Sequence, residues 1–277
     1  MTNWDFPCPE PATISVSSWA SGSVAVSGEE TDTISVEIVS SRGSDSIDDL
    51  LSEIRVEFDH GRLSVSGPRM TSFRRRKGLD LTIKAPAGSG LEVRTASADI
   101  SCVGRLGRLN LHTASGDVTI ASALGPVEVE TASGDVFVGD AAIDVMAKTA
   151  SGDVRVARAG GEVRISAASG DVAVADPGGP VAIRTASGDI QVRDFATGLA
   201  ELNAVSGDVS VTVVQGLGVF MELSSLSGSV RSDLDASADG TDEAGEPPEI
   251  AINCRTISGD IRISKGRAKS GLAPDAA

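Results

Sequence analysis

The sequence predicts an all-β protein: a single-stranded β-solenoid, right-handed and β-helix-like, with about eighteen residues per coil and an N-terminal β cap region. Three observations lead to this fold class. A serine-glycine-aspartate motif recurs at eighteen-residue intervals, apolar and polar residues alternate on both sides of it, and aromatic residues make up only 3% of the 277 residues. Small aliphatic side chains fit thin stacked coils better than one thick core.

The repeated motif is T-A-S-G-D-V or a close variant of it. Its serine marks nine copies, at Ser97, Ser115, Ser133, Ser151, Ser169, Ser187, Ser206, Ser227 and Ser258. The first five intervals are 18 residues, and the following ones are 19, 21 and 31. A fixed period of this kind indicates one structural unit per copy.

Each unit is predicted to contain two short strands. Val127 and Val129 precede one copy of the motif, and Val136 and Val138 follow it. Each pair is spaced by two, as in a strand with one buried face. The inward residue at every sixth position that a left-handed hexapeptide helix needs is absent. Coils of equal length therefore predict parallel stacking of each strand on its copy one coil away, and parallel crossovers favour the right hand.

The motif between the two strands is predicted to be a structural turn. Its glycine suits a bend with positive φ, and its aspartate can close the turn through backbone N–H groups. The regular copies are Ser115, Gly116 and Asp117; Ser133, Gly134 and Asp135; Ser151, Gly152 and Asp153; Ser169, Gly170 and Asp171; and Ser187, Gly188 and Asp189.

The chain outside the regular repeats divides into four further segments. Residues 1–90 lack the motif and are predicted to form a sandwich-like β cap, before the solenoid repeats of 91–232. Residues 233–249 read as an acidic disordered insertion, 250–265 as the final coil and 266–277 as a flexible tail. The strands predicted in the cap cover residues 13–17, 23–27, 33–39, 54–58, 62–66 and 79–84.

The motif aspartates are the strongest candidates for chemistry, because stacking would align them along one edge. We expect them to act as turn caps. The alternative is a structural cation held by the ladder Asp117, Asp135, Asp153, Asp171 and Asp189. One aspartate per coil supplies too few oxygens for the six to eight that calcium prefers. The sequence therefore predicts no metal and no cofactor.

A second column of polar residues lies three positions before the motif serine, on the outward face of the first strand. Its members are Arg94, His112, Glu130, Lys148, Arg184 and Arg255. Their charges alternate along much of the column, which is typical of stabilising cross-strand pairs. The two histidines have no identifiable catalytic partner, and no G-x-S-x-G elbow or phosphate-binding loop occurs. The protein is therefore predicted not to be an enzyme, and no small-molecule substrate is identified.

Net charge limits the class of partner. The formal charge is −15, which argues against nucleic-acid binding. The strongest basic cluster contains Arg74, Arg75, Arg76 and Lys77, with Arg69 nearby. A solvated loop that pairs with acidic residues is the favoured interpretation. Peripheral contact with an anionic membrane surface is the alternative.

Three cysteines, Cys8, Cys102 and Cys254, form neither a C-x-x-C motif nor an even set. They are predicted to be free thiols that are buried or incidental. The first ten residues have neither the charged nor the apolar region of a secretory signal. A cytoplasmic location is the resulting expectation.

The motif set resembles a known family. Repeated T-x-S-G-D-[VI], a basic stretch before L-T-I-K-A-P and a closing T-I-S-G-D-I resemble the bacterial putative-adhesin family of unknown function with β-strand repeats, common in actinobacteria. The resemblance covers roughly residues 10–265. It implies a right-handed β-solenoid without established catalytic activity, and it transfers no functional residues.

Function is predicted only as a class. The first hypothesis is a non-enzymatic structural or interaction protein, a scaffold whose flat faces bind a protein partner or further copies of the chain. The alternative is an adhesin-like or carbohydrate-binding module, which would need export. A polysaccharide-acting β-helix enzyme is the third hypothesis, and it predicts a groove with clustered Asp and Arg beside an aromatic ring.

Overall fold

The computed structural model describes residues 2–40, 53–68, 78–234 and 250–266. The basic cluster Arg74, Arg75, Arg76 and Lys77 lies outside the described residues. Residues 235–249, most of the acidic insertion, and residues 267–277 of the tail also lie outside them.

The central repeats form two stacks of parallel strands. The strands before each S-G-D turn make up what we call the first face: β8 (Leu109–Ser115), β10 (Val127–Ser133), β12 (Val145–Ser151), β14 (Val163–Ser169), β16 (Val181–Ser187) and β18 (Gly198–Ser206). The strands after each turn make up the second face: β9 (Val118–Ala123), β11 (Val136–Ala141), β13 (Val154–Ala159), β15 (Val172–Pro177), β17 (Ile190–Phe195) and β19 (Val209–Val213). Each strand pairs in parallel with its copy one coil away. The predicted all-β solenoid is confirmed, whereas its handedness stays a prediction.

The register of the stacked strands follows the repeat. Val127 of β10 lies opposite Leu109 of β8 on one side and Val145 of β12 on the other. Apolar residues two apart, such as Val127 and Val129, are buried, while Glu128 between them is partly exposed. Because every coil places an aliphatic residue at the same inward position, the core is a set of continuous aliphatic ladders.

Coils at the N-terminal end stack out of chain order. Strand β2 (Thr13–Glu29) runs through both faces, as does β7 (Gly90–Gly104), and the two strands pair in parallel. On its other side β2 pairs with β5 (Arg62–Ser66) and β6 (Leu79–Pro86). The first stretch of the chain thus forms the second parallel coil from this end, inside the segment predicted as a cap.

This coil contains a copy of the motif that the sequence analysis missed. Its sequence is W-A-S-G-S-V, with Ser21 opposite Ser97 and Ser23 opposite Asp99. Trp19 occupies the place of the motif threonine, opposite Thr95. Two of the motif's characteristic residues are therefore replaced, which hides the copy from a search for the repeat.

Antiparallel strands close the N-terminal end. Strand β3 (Thr33–Ser40) pairs antiparallel with β6, and β1 (Thr2–Pro7) pairs antiparallel with β3. On the other face β4 (Arg55–Asp59) forms an antiparallel hairpin with β5. The rings of Phe6 and Phe58 lie 5.3 Å apart between centroids, so an aromatic contact joins the two faces here.

The C-terminal end is also out of order. The last coil in the chain consists of β22 (Ile250–Ser258) and β23 (Ile261–Lys265). It lies between the β18–β19 coil and the coil made of β20 (Val219–Ser227) and β21 (Val230–Ser232). The final coil of the sequence is therefore the penultimate layer of the stack.

The largest fully buried side chains include two aromatic ones, Trp19 and Phe195. The three cysteines are free and buried, as predicted. Burial raises the pKa of the Cys102 and Cys254 thiols to about 12. Within the described ranges there is no helix long and apolar enough to cross a membrane.

Candidate functional site

The S-G-D turns form a continuous column along one edge of the solenoid. Gly134 and Gly152 have φ values of 149° and 132°, in the region that favours glycine. A Cβ atom on Gly152 would overlap the carbonyl oxygen of Gly134 in the preceding coil. Glycine is therefore required for two reasons, the backbone conformation and the close approach of adjacent turns.

The motif aspartates form hydrogen bonds between coils rather than within one turn. The backbone N–H of Asp135 donates to Oδ1 of Asp117 at 2.9 Å, and that of Asp153 donates to Oδ1 of Asp135 at 2.9 Å. The same contact joins Asp99 to Asp117, Asp153 to Asp171, Asp171 to Asp189, Asp189 to Asp208 and Asp208 to Asp260, at 2.8–3.0 Å. Each carboxylate thus satisfies an amide of the next turn.

The column ends at the outermost coil. The backbone N–H of Ser229 donates to Oδ1 of Asp260 at 2.8 Å. This hydrogen bond, the Ser229 side chain and the charges of Arg231 and Arg262 lower the pKa of Asp260. Ser229 stands where the coils from Asp99 to Asp260 carry the motif aspartate, and no described strand lies beyond it. The sequence therefore omits the carboxylate in the coil that has no following turn to cap.

The aspartate column offers little to a cation within the described residues. No group of three or more His, Cys, Asp or Glu side chains there is placed to hold a metal ion. One oxygen of each carboxylate from Asp99 to Asp260 accepts a backbone amide, so the aspartates do cap turns, but each caps the turn of the next coil and not its own.

The outward ionic column forms one connected group on the first face. Nζ of Lys148 donates to Oε1 of Glu130 at 2.7 Å. Nδ1 of His112 lies 3.2 Å from Oε2 of the same carboxylate. The Lys148 hydrogen bond is the largest cause that lowers the pKa of Glu130, and it raises the pKa of Lys148 in return.

The alternation ends beyond Lys148. Arg184 lies between Ser166 and Asn203 in the column, so neither of its strand neighbours is charged there. Arg255 instead lies 3.2 Å from Glu222, in the outermost coil. The predicted cross-strand pairing is thus restricted to the centre and the C-terminal end of this column.

An open groove of about 1030 Å³ follows the ionic column across five coils. Arg94, His112, Glu130 and Lys148 line it together with the outward alanines of the motif. Those alanines are Ala114, Ala132, Ala150 and Ala168. The groove is therefore long, shallow and mixed in character, with charges along one side and methyl groups along the other.

Beneath this groove lies a row of buried threonine hydroxyls. The Oγ1 atoms of Thr95, Thr113, Thr131 and Thr149 have no hydrogen-bond partner among the described residues. Thr185 differs, because its hydroxyl donates to the Ser187 carbonyl at 3.2 Å. These threonines were not among the predicted site residues. The alternation that places Val127 and Val129 inside also places Thr131 inside, so this signal could have found them.

Replacing Thr131 with valine is expected to raise the free energy of unfolding by about 1 kcal/mol, because it removes a buried hydroxyl that has no partner. Equilibrium urea unfolding measures the change. Thr185→Val is the matched control, since it removes a hydroxyl that does have a partner and should bring no gain. A loss of stability in Thr131→Val would contradict the prediction.

The sequence profile of the Toastrack DUF4097 family matches residues 13–264. Solved structures similar to this chain include a putative cell adhesion protein from Clostridium sporogenes, with 13% identity and a TM-score of 0.25, covering 96% of this chain and 99% of that one. A putative adhesin from Bacteroides fragilis (12%, TM-score 0.30) and a putative lipid binding protein from Parabacteroides distasonis (12%, TM-score 0.29) each cover 96% of both chains. The comparison with curated proteins gave no match. The profile match spans nearly the whole chain and confirms the resemblance carried by the repeated motif: the chain belongs to the Toastrack DUF4097 family.

Proposed function

We propose that the protein is a non-enzymatic interaction scaffold that binds a protein partner along its first face. The observation that carries this proposal is the groove over the ionic column. It extends over five coils, and both charged and apolar groups line it. Extended surfaces of this kind are what solenoid proteins use for binding.

The electrostatics of the groove favour binding over catalysis. A general acid needs a pKa raised toward neutral pH, whereas the pKa of Glu130 is lowered by its lysine partner. The site is also open to solvent, which weakens the electrostatic stabilisation of a transition state. A fixed pattern of opposite charges instead supports partner selection and orientation.

Site-specific photo-crosslinking in the native host tests this proposal. A crosslinking residue at Ala132, which is exposed in the groove, should capture a discrete partner. The matched control is Thr119, which is exposed on the second face and should capture none. The double variant Glu130→Lys with Lys148→Glu keeps the ion pair but inverts its direction, so it should abolish capture. Equal capture from both faces, or capture unaffected by the inversion, would argue against the first face as the binding surface.

The alternative of an adhesin-like or carbohydrate-binding module gains no support from the groove, whose lining residues include no Phe, Tyr or Trp ring on which a sugar could stack. The cytoplasmic location is part of the proposal and stays a prediction. Fractionation of the native host distinguishes the two functions, because a module that acts at the cell surface must be found outside the cytosol.

A further inference from the structure

The C-terminal end of the solenoid has an unpaired strand edge. Strand β20 pairs with β22 on one side, and β21 pairs with β23 on one side. Among the described strands, none lies on the outer side of either. Free edges expose a row of backbone N–H and C=O groups that can pair with another strand.

The core is also open at this end. The inward side chains Val219, Met221 and Leu223 of β20 are only partly buried. Their neighbours in β22, Ile250 and Ile252, are at most 1% exposed. The difference arises because no further coil of the described residues covers the aliphatic ladder.

Outward apolar residues are concentrated in the same coils. Leu226 is 82% exposed and Phe220 60% exposed, both on β20. Leu226 occupies the motif position that holds alanine in the central repeats. In the next two coils this position holds Ile257 and Val205, which are each about half exposed. The apolar end therefore extends onto the side of the rod.

The N-terminal end does not offer a complementary surface. Its last parallel coil is covered by the antiparallel strands β1, β3 and β4, and the Phe6–Phe58 contact joins its two faces. A head-to-tail contact would have to displace these strands. A contact between two C-terminal ends would not.

The segment that links β21 to β22 is not apolar. Residues 235–249 connect Leu234, just after β21, to Ile250, the first residue of β22. Their sequence, D-A-S-A-D-G-T-D-E-A-G-E-P-P-E, contains six acids and no aliphatic residue larger than alanine apart from two prolines. It cannot replace the aliphatic side chains of a missing coil.

We propose that the C-terminal end is a homodimer interface, in which β20 pairs antiparallel with β20 of a second copy about Leu223. A two-fold axis perpendicular to the solenoid makes facing strands antiparallel and closes the assembly at two chains. In this register Phe220 lies opposite the partner's Leu226, and Leu223 lies opposite the partner's Leu223. Inward residues stay inward, and the most exposed apolar residues cover each other.

The size of the end predicts a reversible dimer. A nine-residue strand about 30 Å long and a sheet separation of about 10 Å give roughly 300 Å² per copy. Stable interfaces bury about 800 Å² per partner. Because the estimated area is well below that value, we expect a monomer–dimer equilibrium that depends on concentration. The inference is independent of the partner proposed for the first face.

Sedimentation velocity of the full chain over a range of concentrations tests the proposal. The wild type should dimerise, and Phe220→Asp and Leu226→Asp should each raise the dissociation constant by about tenfold or more. Phe137→Asp is the matched control, because Phe137 is a half-exposed residue of the central second face and should leave the dimer unchanged. Far-UV circular dichroism checks that each variant is folded.

Crosslinking tests the register directly. Leu223→Cys should give a disulfide-linked dimer on mild oxidation. Thr119→Cys should not, because Thr119 lies away from the proposed interface. The native cysteines are buried and do not compete. Three outcomes would overturn the proposal: a monomer at every concentration, a dimer that Leu226→Asp leaves intact, or a monomer that dimerises only when residues 235–249 are deleted. The last result would show that this segment covers the end within one chain.

Discussion

Replacing Gly152 with alanine is expected to lower the free energy of unfolding by about 3–5 kcal/mol. The φ of Gly152 is 132°, a backbone conformation that residues other than glycine rarely adopt. The added Cβ would also overlap the carbonyl oxygen of Gly134. A side-chain rotation relieves neither problem, because the strain lies in the backbone of Gly152 and the overlap is with the backbone of Gly134. Equilibrium urea unfolding followed by circular dichroism measures the loss.

Gly218→Ala is the matched control for this substitution. Gly218 does not have a positive φ, and nothing lies within 4 Å of a Cβ built on it. Its replacement should change stability by no more than about 0.5 kcal/mol. A similar loss of unfolding free energy in Gly152→Ala and Gly218→Ala would contradict the prediction, because it would show that the turn position places no special demand on glycine.

The regular part of the fold is predictable because one spacing determines both the coil length and the strand register. Val127 lies opposite Leu109 and Val145, as the eighteen-residue interval requires. Four strands of the first ninety residues, β3, β4, β5 and β6, were also predicted close to their observed bounds. The two remaining predicted strands are joined in β2, which turns between the faces. The alternation of polar and apolar residues carried that information locally.

The order of the end coils is not predictable from the same spacing. Stacked S-G-D units are interchangeable in geometry, so a chain with a long excursion can place its next coil on either side of the last one. The sequence does hold one signal of the outcome. Among the motif copies from Ser97 onward, Ser229 alone replaces the motif aspartate, and it lies in the coil that is outermost in the described stack although it is not last in the chain.

The candidate site was partly predictable for a similar reason. The ionic column follows from positions three residues before the motif serine, and the structure brings His112, Glu130 and Lys148 together. The hydrogen bonds of the aspartates were placed in the wrong turn, because amides of the same turn and of the next coil are both within reach of a short carboxylate. The apolar end could have been found by comparing the alanine position of each copy, where Val205, Ile257 and Leu226 stand out.

The missed copy of the motif leads to the second large effect. Replacing Trp19 with alanine is expected to cost about 3–5 kcal/mol, because the indole is 1% exposed and is the largest fully buried side chain. Its Nε1 also donates to the Leu79 carbonyl at 2.9 Å, which joins β2 to the outer coil. Trp19→Phe keeps most of the ring but removes the hydrogen bond to that carbonyl, so it should cost about 1–3 kcal/mol.

Trp4 gives the comparison, because it is the other tryptophan and is only partly buried, in β1 at the end of the stack. Trp4→Ala should cost clearly less than Trp19→Ala, because part of the Trp4 ring already faces water and its removal loses less buried apolar area. Urea unfolding of the three variants separates ring volume from the hydrogen bond. Equal losses in Trp4→Ala and Trp19→Ala would contradict the assignment of residues 13–29 to the interior of the stack, because only an interior coil makes the Trp19 position the costlier one.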